Sequence, residues 1–220
     1  MNALAASGIA VAGALAGVPI AAIAYSAPER GSVRVPERWW RGAPARPTTV
    51  AVVSALTGAA AGLVAVCLPL SLTLPAFWTF AVLGVGLAIT DLRRHRLPYA
   101  LTGTLAAACT ICFTLPVVMG GSSVPVLRAL TAGSVTVVAL LILALSLPGQ
   151  LGLGDVALAG VVALSLGWLS WQAAAAGVLG AFLIQPAVVL VSKLRGAGRV
   201  TPMGPAFLVA WLGSVVAHGM

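Results

Sequence analysis

Eight apolar runs fill the chain, at 2–25, 48–69, 74–91, 98–119, 125–147, 154–168, 171–192 and 203–218. Short polar or Pro/Gly-rich stretches separate them: "SAPERGSVRVPERWWRGAPARPT", "PLSLT", "LRRHRL", "GGSSV", "LPGQLGL", a break near Trp168–Trp171, and "KLRGAGRVTP". A helix needs about 20 apolar residues to cross a bilayer. The pattern predicts an all-α, polytopic transmembrane helical bundle of about eight spans, a single membrane domain over residues 1–220. No long repeat divides it. The Ala/Gly/Val/Leu bias suits helices that approach one another closely in lipid.

Composition agrees. The 220 residues are 60% hydrophobic and 7% charged, with mean hydropathy +1.10, too few charges to cover a soluble domain of this size. The net charge of +8 is the excess of Lys and Arg that holds loops on the cytoplasmic side, aided by anionic lipid. We therefore expect a lipid-bilayer partner and no nucleic acid.

The basic residues also set the orientation. With both termini outside, the loops after the first, third, fifth and seventh runs are cytoplasmic. They hold Arg30, Arg34, Arg38, Arg41, Arg46, Arg93, Arg94, Arg96, Lys193, Arg195 and Arg199. Only Arg128 of the twelve basic residues then falls on the other side. Adding or dropping one span scatters this pattern. The first run has no basic stretch before it, and its Arg residues follow it, which favours a retained span over a cleaved leader. Residues 26–47 become a short basic cytoplasmic loop. Trp39, Trp40, Trp168 and Trp171 suit either an interfacial belt or packing against lipid. Cys67, Cys109 and Cys112 all lie in apolar runs, and the Cys109-x-x-Cys112 spacing reads as two packed helical thiols.

Acids are scarce: Glu29, Glu37, Asp91 and Asp155. Both Glu fall in the first cytoplasmic loop as ordinary solvated charges. Both Asp fall at run ends on the cytoplasmic side, Asp91 closing the third and Asp155 opening the sixth. An ionisable group at a membrane boundary is costly and points to function. Each Asp alone has a plainer role: Asp155 as a cap at a helix start, Asp91 as the partner of Arg93, Arg94 or His95. Together they offer a carboxylate pair that holds one proton between them, the arrangement with which aspartic proteases activate water. Gly152 and Gly154 of "GLGD" would leave a side-chain-free strip beside Asp155, useful for an extended substrate. His95 reads as a solvated interfacial residue. Gln185 and Ser192 are candidates for interhelical hydrogen bonds.

The stretches "TDLRRHRLPYALT" and "LGLGDVALAGVVALSLGW" together resemble the type IV prepilin peptidase family, membrane aspartic proteases with a Gly-x-Gly-Asp motif. The ending "TPMGPAFLVAWLG" is similar to that family's Pro-x-Gly-Pro pattern at Pro202, Gly204 and Pro205. The resemblance runs from about residue 75 to the end, implying a peptidase-like catalytic core over 75–220. It implies that Asp91 and Asp155 are the catalytic dyad, with Pro98, Gly152 and Gly154 as substrate-positioning residues. It implies an aspartic endopeptidase that cuts the basic leader of a pilin-like precursor at the cytoplasmic face of the plasma membrane. Two positions depart from the family pattern: Ala157 stands where Lys is expected, and Tyr99 where an acid or Asn follows Leu-Pro. Longer family members carry a cysteine-built zinc module and N-methylate the new N-terminus with S-adenosylmethionine. Residues 26–47 have neither Cys nor His, so no metal and no cofactor are expected. The alternatives are a proton- or cation-coupled carrier and a non-catalytic homologue that assembles a pilus or secretion machine.

Overall fold

A computed structural model describes residues 3–27, 35–147, 151–194 and 202–219. Each apolar run forms one α-helix: α1 Ala3–Ser26, α2 Pro47–Cys67, α3 Leu74–Arg94, α4 Tyr99–Val118, α5 Val124–Ser146, α6 Leu153–Gly167, α7 Trp171–Leu194 and α8 Gly204–Gly219. Helix is the expected solution, because in hydrocarbon every backbone N–H and C=O needs a partner within the segment. Pro supplies several starts, in the first turns of α2, α3 and α5, where its missing N–H costs nothing. The helical Thr residues return their hydroxyls to the preceding turn, as Thr57 does to Val53 and Thr90 to Gly86.

Among the described residues six helices, α1–α5 and α7, are long and apolar enough to cross a membrane, which makes this a multi-pass membrane protein. The other two are shorter, 15 residues in α6 and 16 in α8. Neither reaches the about 20 residues of a full crossing. Burial marks the centre of the bundle: ten of the 15 residues of α6 and 13 of the 21 in α3 are buried. Against this inner group of α3, α6 and α8 pack the other helices.

An aromatic ladder ties the inner helices together. Trp211 of α8 stacks on Phe80 at 4.3 Å and lies 6.2 Å from Phe77, both on α3. Phe77 meets Phe113 of α4 at 5.7 Å, and Phe113 stacks on Trp168 at 4.8 Å. The buried Trp211 indole N–H donates to Ser165 Oγ of α6 at 2.8 Å, so the polar edge of the ladder is satisfied. Trp168 is therefore a packed residue. Trp39, Trp40 and Trp171 are exposed, as lipid- or interface-facing rings require.

The C-terminal ends of α1 and α3 meet at one end of the bundle. Arg93, near the end of α3, donates to the Ala24 carbonyl near the end of α1 at 3.0 Å, and its guanidinium lies 3.6 Å from the Tyr25 ring centroid. The α1 and α2 helices touch through small residues: a Cβ on Gly17 would lie 2.4 Å from Ser54 Cα, and one on Gly13 2.5 Å from Ala61 Cβ. Glu29, Arg30, Arg34, Arg195 and Arg199 lie outside the described residues, as does the side chain of Ser192.

Arg128, the basic residue left alone on the far side by the charge pattern, has a structural task. From the start of α5 its guanidinium donates to the carbonyls of Gly167, Trp168 and Leu169. These are the orphan carbonyls at the end of α6, where a cation also meets the negative end of the helix dipole. Arg128→Met keeps the stem and removes every donor. We expect it to cost about 2 kcal/mol of stability, read as a lower unfolding temperature in detergent, with Arg128→Lys recovering part of the loss.

Candidate functional site

The inner helices bring the two Asp together. Asp91 sits in the last turn of α3, and Asp155 in the first turn of α6. Both line a cavity of about 270 Å³ at one end of the bundle, with His95, Arg96, Leu97, Tyr99, Gly152 and Gly154. That volume holds several waters. Each carboxylate lies in the other's electrostatic field.

Asp91 is the more buried of the two, at 5% exposure. Its Oδ2 accepts the backbone N–H of Gly204 at 2.6 Å, and the carboxylate also accepts the N–H of Met203. These N–H groups belong to the start of α8, where the first-turn donors have no helical partner. The positive end of the α8 dipole adds to their pull on an anion. Asp91 is thus held by a helix it does not belong to. Gly204 is required for the approach: a Cβ there would lie 3.0 Å from both Asp91 Cβ and Oδ2, and 3.4 Å from Ala88 Cα.

Asp155 is half-buried. Its carboxylate accepts the N–H of Gly152, the N-cap of α6. This is the half of a capping box in which the third helical residue reaches back to the cap. The capping role foreseen for Asp155 is therefore present alongside its place in the pair. His95 ends α3 in the left-handed conformation, φ 51, with its N–H returned to the Asp91 carbonyl at 2.8 Å. The reversal turns the chain through Arg96 and Leu97 into α4, which puts Tyr99 on the cavity wall.

The residues expected to position substrate divide. Gly152 lines the cavity in ordinary extended geometry, φ −75 and ψ 141, and its contribution is its N–H. Gly154 allows close packing: a Cβ there would lie 3.2 Å from Leu97 Cβ, so it lets α6 press on the α3–α4 connection. Pro98 is the N-cap of α4 and is not among the described wall residues, although its neighbours Leu97 and Tyr99 are. The residue that sequence reasoning left without a role is Gly204. Its signal was the Pro-x-Gly-Pro ending: Pro205 marks a helix start, and a helix start carries free N–H groups. No group of three or more His, Cys, Asp or Glu able to hold a metal occurs among the described residues.

Comparison of the chain with protein-family models, with curated proteins and with solved structures yields no match.

Proposed function

We propose that this protein is a membrane-embedded aspartic endopeptidase that cuts the basic leader of a pilin-like precursor at the cytoplasmic face of the plasma membrane. The observation that carries the reading is the meeting of Asp91 and Asp155 in one cavity, roomy enough for several waters, at one end of the bundle. Two carboxylates in each other's field hold one proton between them. The ionised member takes a proton from a water, the water oxygen attacks the peptide carbonyl, and the protonated member donates to that carbonyl oxygen. Collapse then releases the amine with the proton the water gave up. Backbone N–H groups on Asp91 from α8 and on Asp155 from Gly152 fix both carboxylates before substrate arrives.

The carrier reading is less well supported, because a carrier keeps its acids near the midplane on interrupted spans, whereas these acids lie at helix ends. The deciding experiment incubates the purified protein with a pilin-like precursor and follows loss of the leader. Unchanged precursor, together with proton or cation flux in reconstituted vesicles, would favour the carrier.

The proposed topology has eight crossings, with α6 and α8 as short inner ones, both termini outside and the 26–47 loop inside. Single cysteines at Ser32, Ser123 and His218, in a chain freed of Cys67, Cys109 and Cys112, test it. An impermeant maleimide added to intact cells is expected to label positions 123 and 218 only. Labelling at 32 would overturn the orientation and with it the cytoplasmic site.

A further inference from the structure

A second cavity, of about 610 Å³, lies between the C-terminal halves of α5 and α7. Leu147 and Leu151 form one side, Phe182, Gln185 and Leu190 the other, and Met203 the inner end. The cleft exists because α5 packs on α6 and α7 on α8, while α5 and α7 barely meet.

This groove shares walls with the acid pair. Met203 lines it while giving its backbone N–H to Asp91. Leu151 lines it and is followed by Gly152, whose N–H goes to Asp155. A chain lying in the groove would therefore pass from Met203 and Leu151 straight to the two carboxylates. Along α7 the groove runs from Phe182 to Lys193, about 16 Å at 1.5 Å per residue. That is roughly half of the ~30 Å hydrocarbon layer, the half nearer the acids.

The wall chemistry separates a peptide from a lipid tail. Pro186 lies inside α7 and has no N–H, so the Phe182 carbonyl one turn back lacks its helical donor. Polar backbone at membrane depth is tolerated where protein or a cavity provides partners. An acyl chain brings no donor, whereas a peptide brings N–H groups along with apolar side chains.

We propose that the α5–α7 groove holds the apolar segment of the substrate next to the scissile bond, so that the acids meet the chain where it leaves the membrane. This rests on the peptidase reading above. The test uses the full chain in lipid nanodiscs, with a photo-crosslinking amino acid in place of Leu147 or Leu190, or of the exposed Leu56 on α2 as control. The probes are a synthetic peptide with a basic leader and about 20 apolar residues, the same leader alone, and an alkyne-tagged phosphatidylglycerol. We expect the long peptide to crosslink at 147 and 190 about tenfold more than at 56, and the leader alone to crosslink at none of them. Crosslinking to the phospholipid alone, or equal peptide crosslinking at all three positions, would overturn the proposal. Leu190→Trp, which fills the groove, is expected to raise KM for the long peptide about tenfold with little change in kcat; an unchanged KM would count against it. Cleavage is measured in parallel and reports on the peptidase reading separately. Groove crosslinking without cleavage leaves a peptide site without a protease, and cleavage without groove crosslinking leaves a protease that takes its substrate elsewhere.

Discussion

Protein carrying Asp91→Asn or Asp155→Asn is expected to insert normally and to cut a pilin-like precursor at least about 10³-fold more slowly than the parent chain. Asn keeps the size of each side chain and removes its acid–base function. Because the pair acts as one unit, the double variant should be no slower than either single one. The rate of the parent chain should be bell-shaped in pH, with limbs that belong to the pair rather than to either residue. Glu37→Gln, on an exposed loop residue, should be nearly silent. The informative comparison is Asp155, since its carboxylate also caps α6 through the Gly152 N–H. If Asp155→Asn inserts and still cuts at close to the parental rate, the cap is the whole of its role and the peptidase assignment falls.

Gly204→Ala is expected to lower kcat about 100-fold while the chain still inserts. A Cβ at Gly204 would lie 3.0 Å from Asp91 Cβ and Oδ2, so the carboxylate or the start of α8 has to give by a few tenths of an ångström. Ala88 Cα, 3.4 Å away, blocks retreat toward α3. Either the start of α8 moves off, taking the Gly204 and Met203 N–H groups with it, or the Asp91 carboxylate turns away from Asp155. Gly213, on the same helix, is the control: a Cβ there meets nothing within 4 Å. Gly213→Ala should leave the rate unchanged and add up to about 1 kcal/mol through helix propensity. Thermal unfolding of both variants in detergent separates a misplaced carboxylate from a misfolded chain. A Gly204→Ala protein with lowered stability and parental kcat would show that the contact matters for packing alone.

The helices themselves were legible from the chain, with ends that agree within three residues of the apolar runs. Lipid permits one economical solution for an apolar run, and Pro, Gly and charge punctuate it sharply, so local signals decide the outcome. The acids were legible as candidates for a related reason: with four in 220 residues, two at run ends stand out against the cost of placing charge there. Other roles were less legible. Arg128 looked like an exception to the charge pattern until its guanidinium was seen on the carbonyls at the end of α6. Trp168 was open between an interfacial belt and packing against lipid, and its stack on Phe113 shows neither: it packs inside the bundle.

Spacing along the chain determined which residues are apolar, where helices start and stop, and which charges cannot be hidden. These are one-dimensional properties, set by the transfer of each residue between water and hydrocarbon. Only the tertiary structure decided that α3, α6 and α8 form the inner group, because in lipid the choice of helix partners rests on shape rather than on hydrophobicity. That choice brings the start of α8 onto a carboxylate 113 residues earlier in the chain. It also sets Gly204 against Asp91, alone among the described glycines, a consequence of close packing between distant segments that no local pattern encodes.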